Sequence, residues 1–197
     1  VLVPALKSLK LPLTSFVSRD SARSLLLKKN FPDAVGYQSI DEVIKNNSET
    51  AFLISNRHSE HFECVKKSLE AGRLTFVEKP LCVSQGEFAE LQETMEKSGN
   101  IPFIGHNRRF SPLVIDLVSR LHKIQGPYHL VYRVHAGLIP KAHWVNQEKE
   151  GGRVIGEITH FIDLIRFIIG KKCIRLFPYG DFNCGFEFED KSSASLS

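Results

Sequence analysis

The chain has 197 residues, of which 42% are hydrophobic and 24% charged, and a formal net charge of +4. Such a composition carries ample core material for one large domain or two small ones and excludes a disordered chain. The mild positive excess suits an anionic ligand, but without a basic stripe interleaved with aromatics it gives no footing to a nucleic-acid binder.

Leu2, Ala5, Leu6 and Leu9 fall at helical spacing, so Val1 to Leu9 reads as an amphipathic helix. Leu13 to Ser18 reads as a strand ending in Ser18-Arg19-Asp20, and Ala22 to Lys29 as the helix after it. A short helix over Asp41–Lys45 and a buried strand over Thr50–Ser55 follow. Ser59 to Ala71 is a helix with Phe62, Val65 and Leu69 inward, ended by Gly72. Thr75 to Leu81 is a strand that stops in an acid, a base and a proline, because Pro80 cannot donate to a ladder. Ser84 and Glu87 form a capping box for a helix that turns Phe88, Leu91 and Met95 inward and stops at Gly99. Ile101 to Gly105 is the last strand of this alternation, which argues for a parallel, doubly wound α/β sheet.

Beyond Gly105 the pattern changes. Ser111-Pro112 opens a helix through Leu113, Leu117 and Leu121, and Tyr128 to His135 alternates as a half-buried strand. Leu138 to Gly152 is a long polar loop holding Trp144. Gly156 to Ile169 reads as a helix closed by Gly170, and Arg175 to Phe188 as strands around turns. The Ser-rich end, Lys191 to Ser197, shows no closing element. Residues 107–197 are therefore expected to form an α+β domain with a mainly antiparallel sheet, behind a Rossmann-like domain over 1–106.

Cys64, Cys82, Cys173 and Cys184 show neither CxxC spacing nor a cluster with His, so neither zinc nor a disulfide framework is expected, and reduced thiols in a cytoplasmic compartment are. No apolar run approaches the roughly 20 residues that span a bilayer. No signal peptide is visible, since Pro4 and Lys7 interrupt the opening apolar stretch.

Several constellations could carry chemistry. Glu78, Lys79 and Pro80 are delivered to the carboxyl edge of a parallel sheet, where such folds bind ligands. A Lys there can have its pKa lowered by burial and exchange protons. Ser18 and Arg19 sit where a second Rossmann strand would meet the adenosine ribose; a small polar residue followed by Arg leans toward NADP over NAD. Ser55, Asn56 and His58, with His61 in the next helical turn, could hold ribose or phosphate. Asn107, Arg108 and Arg109 at the last strand's edge could bind an anionic or polyhydroxyl substrate; the alternative is that Arg109 pairs structurally with a carboxylate. Glu157, His160 and Asp163 are spaced i, i+3, i+6, and a His beside carboxylates can shuttle a proton. His160 and Asp163 could be a metal pair, but no third ligand at metal spacing is evident. The glycine-rich turn of a dinucleotide site is absent.

Three ordered anchors carry a resemblance: Glu78-Lys79-Pro80-Leu81, Asn107-Arg108-Arg109-Phe110-Ser111-Pro112, and Gly151-Gly152 leading to His160-Phe161-Ile162-Asp163. Together they resemble the Gfo/Idh/MocA oxidoreductases. The resemblance implies hydride transfer between NAD(P) and a sugar, polyol or nucleotide-sugar-like substrate, and a homo-dimer or tetramer through the C-terminal sheet. It implies that Lys79 is the catalytic lysine, with a cis bond to Pro80, and that His160 is the acid/base, with Trp144 and Asp163 near the substrate. It also implies a first strand and glycine turn before Val1, further strands after Ser197, and no activity for this piece alone. Many members carry an Asp four residues before the active-site His; here that position is Gly156, with Glu157 one later. A non-catalytic binding or scaffold protein on the same fold is the alternative.

Overall fold

The computed structural model describes residues 2–46, 51–124, 126–135, 137, 139–140, 142–180 and 183–197. Helix α1 (Leu2–Ser8) leads to strand β1 (Ser15–Val17) and helix α2 (Ser21–Asn30). The Asp20 carboxylate caps α2 by accepting the Arg23 N–H at 3.1 Å. Strand β2 (Val35–Tyr37), with Gly36 at its centre, pairs in parallel with β1; it has no counterpart in the sequence reading, being only three residues long with a glycine at its centre. Helix α3 (Ile40–Asn46) precedes β3 (Phe52–Ile54), α4 (His58–Glu70), β4 (Thr75–Glu78), α5 (Gln85–Ser98) and β5 (Phe103–Gly105).

Strands β3, β4 and β5 form a parallel sheet in that order. Parallel strands need crossovers, and α4 and α5 supply them. Their apolar stripes bury Val65, Leu69 and Leu91 against Ile54 and Val77. Val65, Leu69, Val77 and Leu91 are fully buried, each worth about 1.5–3 kcal/mol relative to exposure. The Ser84–Glu87 box closes reciprocally, at 3.2 Å in both directions, and Gly99 ends α5 at φ 69°. Phe88, expected inward, is 43% exposed, so the α5 core stripe runs through Leu91 with Met95 packed beside it. The strand expected from Ile101 begins only at Phe103, leaving Ile101 exposed. The expected strand over Thr50–Ser55 is Phe52–Ile54; Thr50 lies outside the described residues.

After β5 come a 3-10 turn (Asn107–Phe110), α6 (Pro112–Leu121) and β6 (His129–Tyr132), shorter than the alternating stretch suggested. The polar loop contains 3-10 turns at Trp144–Asn146 and Glu148–Glu150, with its Leu138 outside the described residues. A π-helical turn (Val154–Ile158) runs into α7 (Thr159–Ile169), which Gly170 ends at φ 66°. The final strands are β7 (Cys173–Pro178), β8 (Cys184–Phe188) and β9 (Ser193–Leu196).

These last strands form a mixed sheet ordered β6-β9-β8-β7, with β6 and β9 parallel and the other pairs antiparallel. The Ser-rich end is therefore an inner strand of the sheet, against expectation. Ala194 and Leu196 point into the core while Ser193 and Ser195 are half-buried on the other side, the period of two that a one-sided sheet requires. Helix α7 lays Ile165 and Ile169 on Phe186, Phe188, Ala194 and Leu196. The fold is thus α/β, a parallel sheet with flanking helices followed by a mixed sheet backed by one long helix.

Candidate active site

The carboxyl end of β4 meets the start of α7 across a cavity of about 460 Å³. Lys79, Arg108, Glu157 and His160 line it, as the sequence suggested, together with Tyr132, Arg133, His135 and Phe161. The Lys79–Pro80 bond is cis. Lys79 is half-buried, and its ammonium donates to the Gly156 carbonyl at 2.6 Å, which ties the β4 edge to the π-turn. Burial lowers the Lys79 pKa from its ordinary value, and nearby Arg108 adds to this while Glu157 and Glu78 oppose it.

His160 is 8% exposed, and its Nδ1 is buried without a hydrogen-bond partner among the described residues. The same holds for Nδ1 of His106, whose ring stacks on His160 with centroids 5.8 Å apart. Burial first, then Arg108, Lys79 and His106, lower the His160 pKa to about 4, with Asp163 acting the other way. His160 is therefore neutral at pH 7 and free to accept a hydrogen bond.

A direct consequence is pH-dependent. The folded chain resists protonating His160 between pH 6.5 and about 4, whereas the unfolded chain accepts a proton near 6.5. Stability is thus unaffected by this group above pH 6.5 and falls as pH drops through that window. Imidazole NMR titration is expected to give His160 a midpoint near 4, separated from the solvent-facing histidines; a midpoint near 6.5 contradicts the burial argument.

The π-turn decides what α7 presents. Gly156 is buried, and a Cβ there would lie 3.1 Å from the His58 ring. A larger residue there would need the His58 ring to give by a few tenths of an ångström. Glu157 lines the cavity, held by Arg153 at 3.1 Å (Nε) and 2.8 Å (NH2).

Other expected residues lie around this cavity. Arg109 and Asp163 bind each other, through Nε at 2.7 Å and a second contact from NH2. The fork joins the turn after β5 to α7, and neither side chain lines the cavity. Trp144 is also off the cavity wall; it meets the His58 ring edge-on at 5.0 Å, with Arg57 5.8 Å from its ring centroid. Asn107 is exposed outside the cavity lining.

His61 is fully buried, with Nδ1 2.6 Å from the Pro80 carbonyl and Nε2 3.3 Å from that of Asn56. A neutral ring donates to only one of these, and the shorter contact favours Pro80. His58 Nδ1 faces the Glu150 carbonyl at 3.1 Å, and burial lowers its pKa. His61 therefore braces the turn that carries Lys79 and His58 the Glu150 turn, while Ser55 and Asn56 are exposed at the strand end. At the outer edge Ser18 and Arg19 follow β1, and Arg19 pairs with Glu60.

Four contributors carried weak sequence signals. Tyr132, Arg133 and His135 belong to a stretch whose alternation assigned them to opposite faces; because β6 stops at Tyr132, the irregular chain beyond it turns onto the cavity. Glu150 is fully buried, accepting the Ser59 N–H and hydroxyl at 3.1 Å each at the start of α4, a favourable place for an anion. Nothing in a polar loop distinguished it from its solvated neighbours.

Among the described residues, no three His, Cys, Asp or Glu side chains are grouped to hold a metal, and no helix is long and apolar enough to cross a membrane. A parallel sheet whose carboxyl edge carries an amine and a cis-proline turn offers a ligand site where open α/β sheets bind theirs. The profile of the Gfo/Idh/MocA oxidoreductase family, NAD-binding Rossmann fold, matches residues 4–106, and the chain belongs to that family.

A 1-carboxy-3-chloro-3,4-dihydroxycyclohexa-1,5-diene dehydrogenase of Comamonas testosteroni is 24% identical over 161 residues, covering 77% of this chain and 40% of its own length. The scyllo-inositol 2-dehydrogenase (NAD(+)) of Bacillus subtilis is 28% identical over 141 residues, covering 71% of this chain and 41% of its own. The chain thus spans about two fifths of these relatives' length. Among solved structures, the WlbA dehydrogenase of Thermus thermophilus in complex with NAD and UDP-GlcNAcA superposes with a TM-score of 0.80 at 20% identity, over 100% of this chain and 68% of that one. At that identity the likeness speaks for the fold alone.

Proposed function

We propose that the chain supplies the nicotinamide-proximal and substrate-facing part of an NAD(P)-dependent dehydrogenase acting on a sugar, polyol or nucleotide-sugar-like substrate. The observation that carries this reading is Lys79 and His160 facing one cavity at the carboxyl edge of the parallel sheet. The residues present fit the nicotinamide end of such a cofactor: among the described residues the buried Nδ1 atoms of His160 and His106 lack partners, and the Lys79-Pro80 turn is braced by His61. The pyrophosphate-binding glycine turn is not part of this sequence. Glu78, Lys79 and Pro80 would hold the nicotinamide and its ribose, with Ser55 and Asn56 beside them. His61 would act through the Lys79-Pro80 turn it braces, and His58 through the Glu150 turn.

The nicotinamide, when bound, accepts or returns the hydride of a carbinol carbon. Lys79 Nζ, fixed on the Gly156 carbonyl, is positioned to exchange the hydroxyl proton, and its lowered pKa eases the exchange. His160, neutral, receives that proton or orients the hydroxyl. Glu157, held by Arg153, sets the field at Lys79. Arg109 and Asp163 would keep α7 in register with the turn after β5, with Asn107 and Trp144 at the periphery. Assembly as a homo-dimer or tetramer would use the C-terminal sheet.

The test is nicotinamide fluorescence with NADH and NADPH, on this chain and on a form extended upstream by the strand and glycine turn that the family resemblance implies. Binding by the extended form supports the reading; no binding of either cofactor sinks it. Arg19 bears on the choice between them. If it meets a 2′-phosphate, a phosphate would replace Glu60 as its partner, and Arg19→Ala should weaken NADPH about tenfold with little change for NADH, a difference of about 1.4 kcal/mol. Equal losses would remove Arg19 from that role. A second reading, cofactor binding without turnover, is favoured by Gly156 and by the engagement of Glu157 with Arg153.

A further inference from the structure

Two cations, Arg108 and Arg133, reach the cavity wall with no carboxylate in ion-pair contact among the described residues. Arg108 and Arg133 are exposed, and among the described residues neither forms an ion pair; nor does Lys79, whose ammonium rests on a carbonyl. The cavity's carboxylate, Glu157, is already taken by Arg153, while the neighbouring Arg109 is taken by Asp163. Arg108 is also oriented in advance: its guanidinium lies 4.9 Å from the Phe161 ring centroid and donates to the Tyr132 hydroxyl at 3.5 Å. Stacking on one face leaves the planar edge for a bidentate acceptor. The cavity is therefore a place where uncompensated positive charge has been gathered on a concave wall, which concentrates an anion.

We propose that the substrate of this cavity carries a carboxylate or phosphate, bound by Arg108 and Arg133, with its hydroxyl-bearing carbon presented to Lys79 and His160. The assignment of the reacting end rests on the dehydrogenase reading; the anion seat rests on the charges alone. An anion at Arg108 would also offset one of the influences that hold His160 low. The groups facing His160 are Arg108, Lys79, His106 and Asp163, with Glu157, Arg133 and His135 on the same cavity. Only the bound anion among these is supplied from outside, so His160 reports its arrival.

The experiment is imidazole NMR on the 197-residue chain, titrated with glucuronate, glucose 6-phosphate, inorganic phosphate and, as the neutral control, glucose. Glucuronate or glucose 6-phosphate should raise the His160 midpoint by about one unit, with glucose leaving it unchanged; which of the two acts tells carboxylate from phosphate. Arg108→Gln with Arg133→Gln should abolish the shift, and both sites are exposed, so amide dispersion should show an intact fold. Glucose acting as strongly as the acids, silence from both acids, or a full shift from inorganic phosphate alone would each overturn the proposal. So would a shift that survives in the double variant. Cofactor titration is a separate readout, so failure of the anion seat with intact NADH binding leaves the dehydrogenase reading standing.

Discussion

Replacing Lys79 by Met in the active enzyme is expected to lower kcat by about 10²–10⁴-fold, the usual contribution of a positioned acid or base, while NADH affinity changes little. Met keeps most of the side chain's length and apolar bulk, so the loop braced by His61 at Pro80 should persist. What disappears is the amine held 2.6 Å from the Gly156 carbonyl. That contact fixes Nζ at the cavity wall instead of leaving it to solvent. Loss confined to kcat assigns Lys79 to the chemical step, whereas a rise in KM alone assigns it to uniform binding. Unchanged turnover would remove Lys79 from the mechanism.

Leu196→Ala is expected to cost about 2–5 kcal/mol of stability, as large-to-small changes in cores do. Leu196 is 2% exposed and packs with Ile165, Ile169, Phe186 and Phe188 beneath α7. Its strand lies between β6 and β8, so the loss is felt on both sides of the sheet. Leu113, 82% exposed on α6, is the control: Leu113→Ala should stay within about 0.5 kcal/mol. Urea unfolding compares them, and equal small effects would contradict the placement of the chain's end inside the sheet.

The parallel sheet was legible because its signals are local. The Ser84–Glu87 box, Gly72, Gly99 and the apolar spacing of α4 each encode one boundary through backbone chemistry. Glu78-Lys79-Pro80 was legible for the same reason, since a proline must end the ladder where the sheet's carboxyl edge begins. Strand β2 was not, because three residues interrupted by Gly36 are too short to show a period. The inner strand β9 hid behind composition: four serines in the last seven residues suggest a tail, yet Ala194 and Leu196 alternate with Ser193 and Ser195 in a strand's period.

At the site, Lys79, Glu157, Arg108 and His160 were readable from motif and spacing, and the structure brings them to one cavity. The partners of Arg109, Asp163 and Trp144 were not, because each lies far away in sequence: Arg109 and Asp163 take each other, and Trp144 meets His58. Gly156 likewise has a neighbour distant in sequence, the His58 ring 3.1 Å from where its Cβ would be. Such facts depend on how β4, α4 and the π-turn meet, which no single stretch of sequence carries.

The most direct test of the central reading follows the appearance of reduced nicotinamide by its absorbance. The extended form would be given NAD⁺ or NADP⁺ with myo-inositol, glucose, glucuronate or glucose 6-phosphate, alongside its Lys79→Met variant. The expected result is reduced cofactor from at least one of these substrates, lost in the variant. Cofactor bound by the extended form, with no reduction from any of the four, would contradict the dehydrogenase reading and favour a binding protein on the same fold.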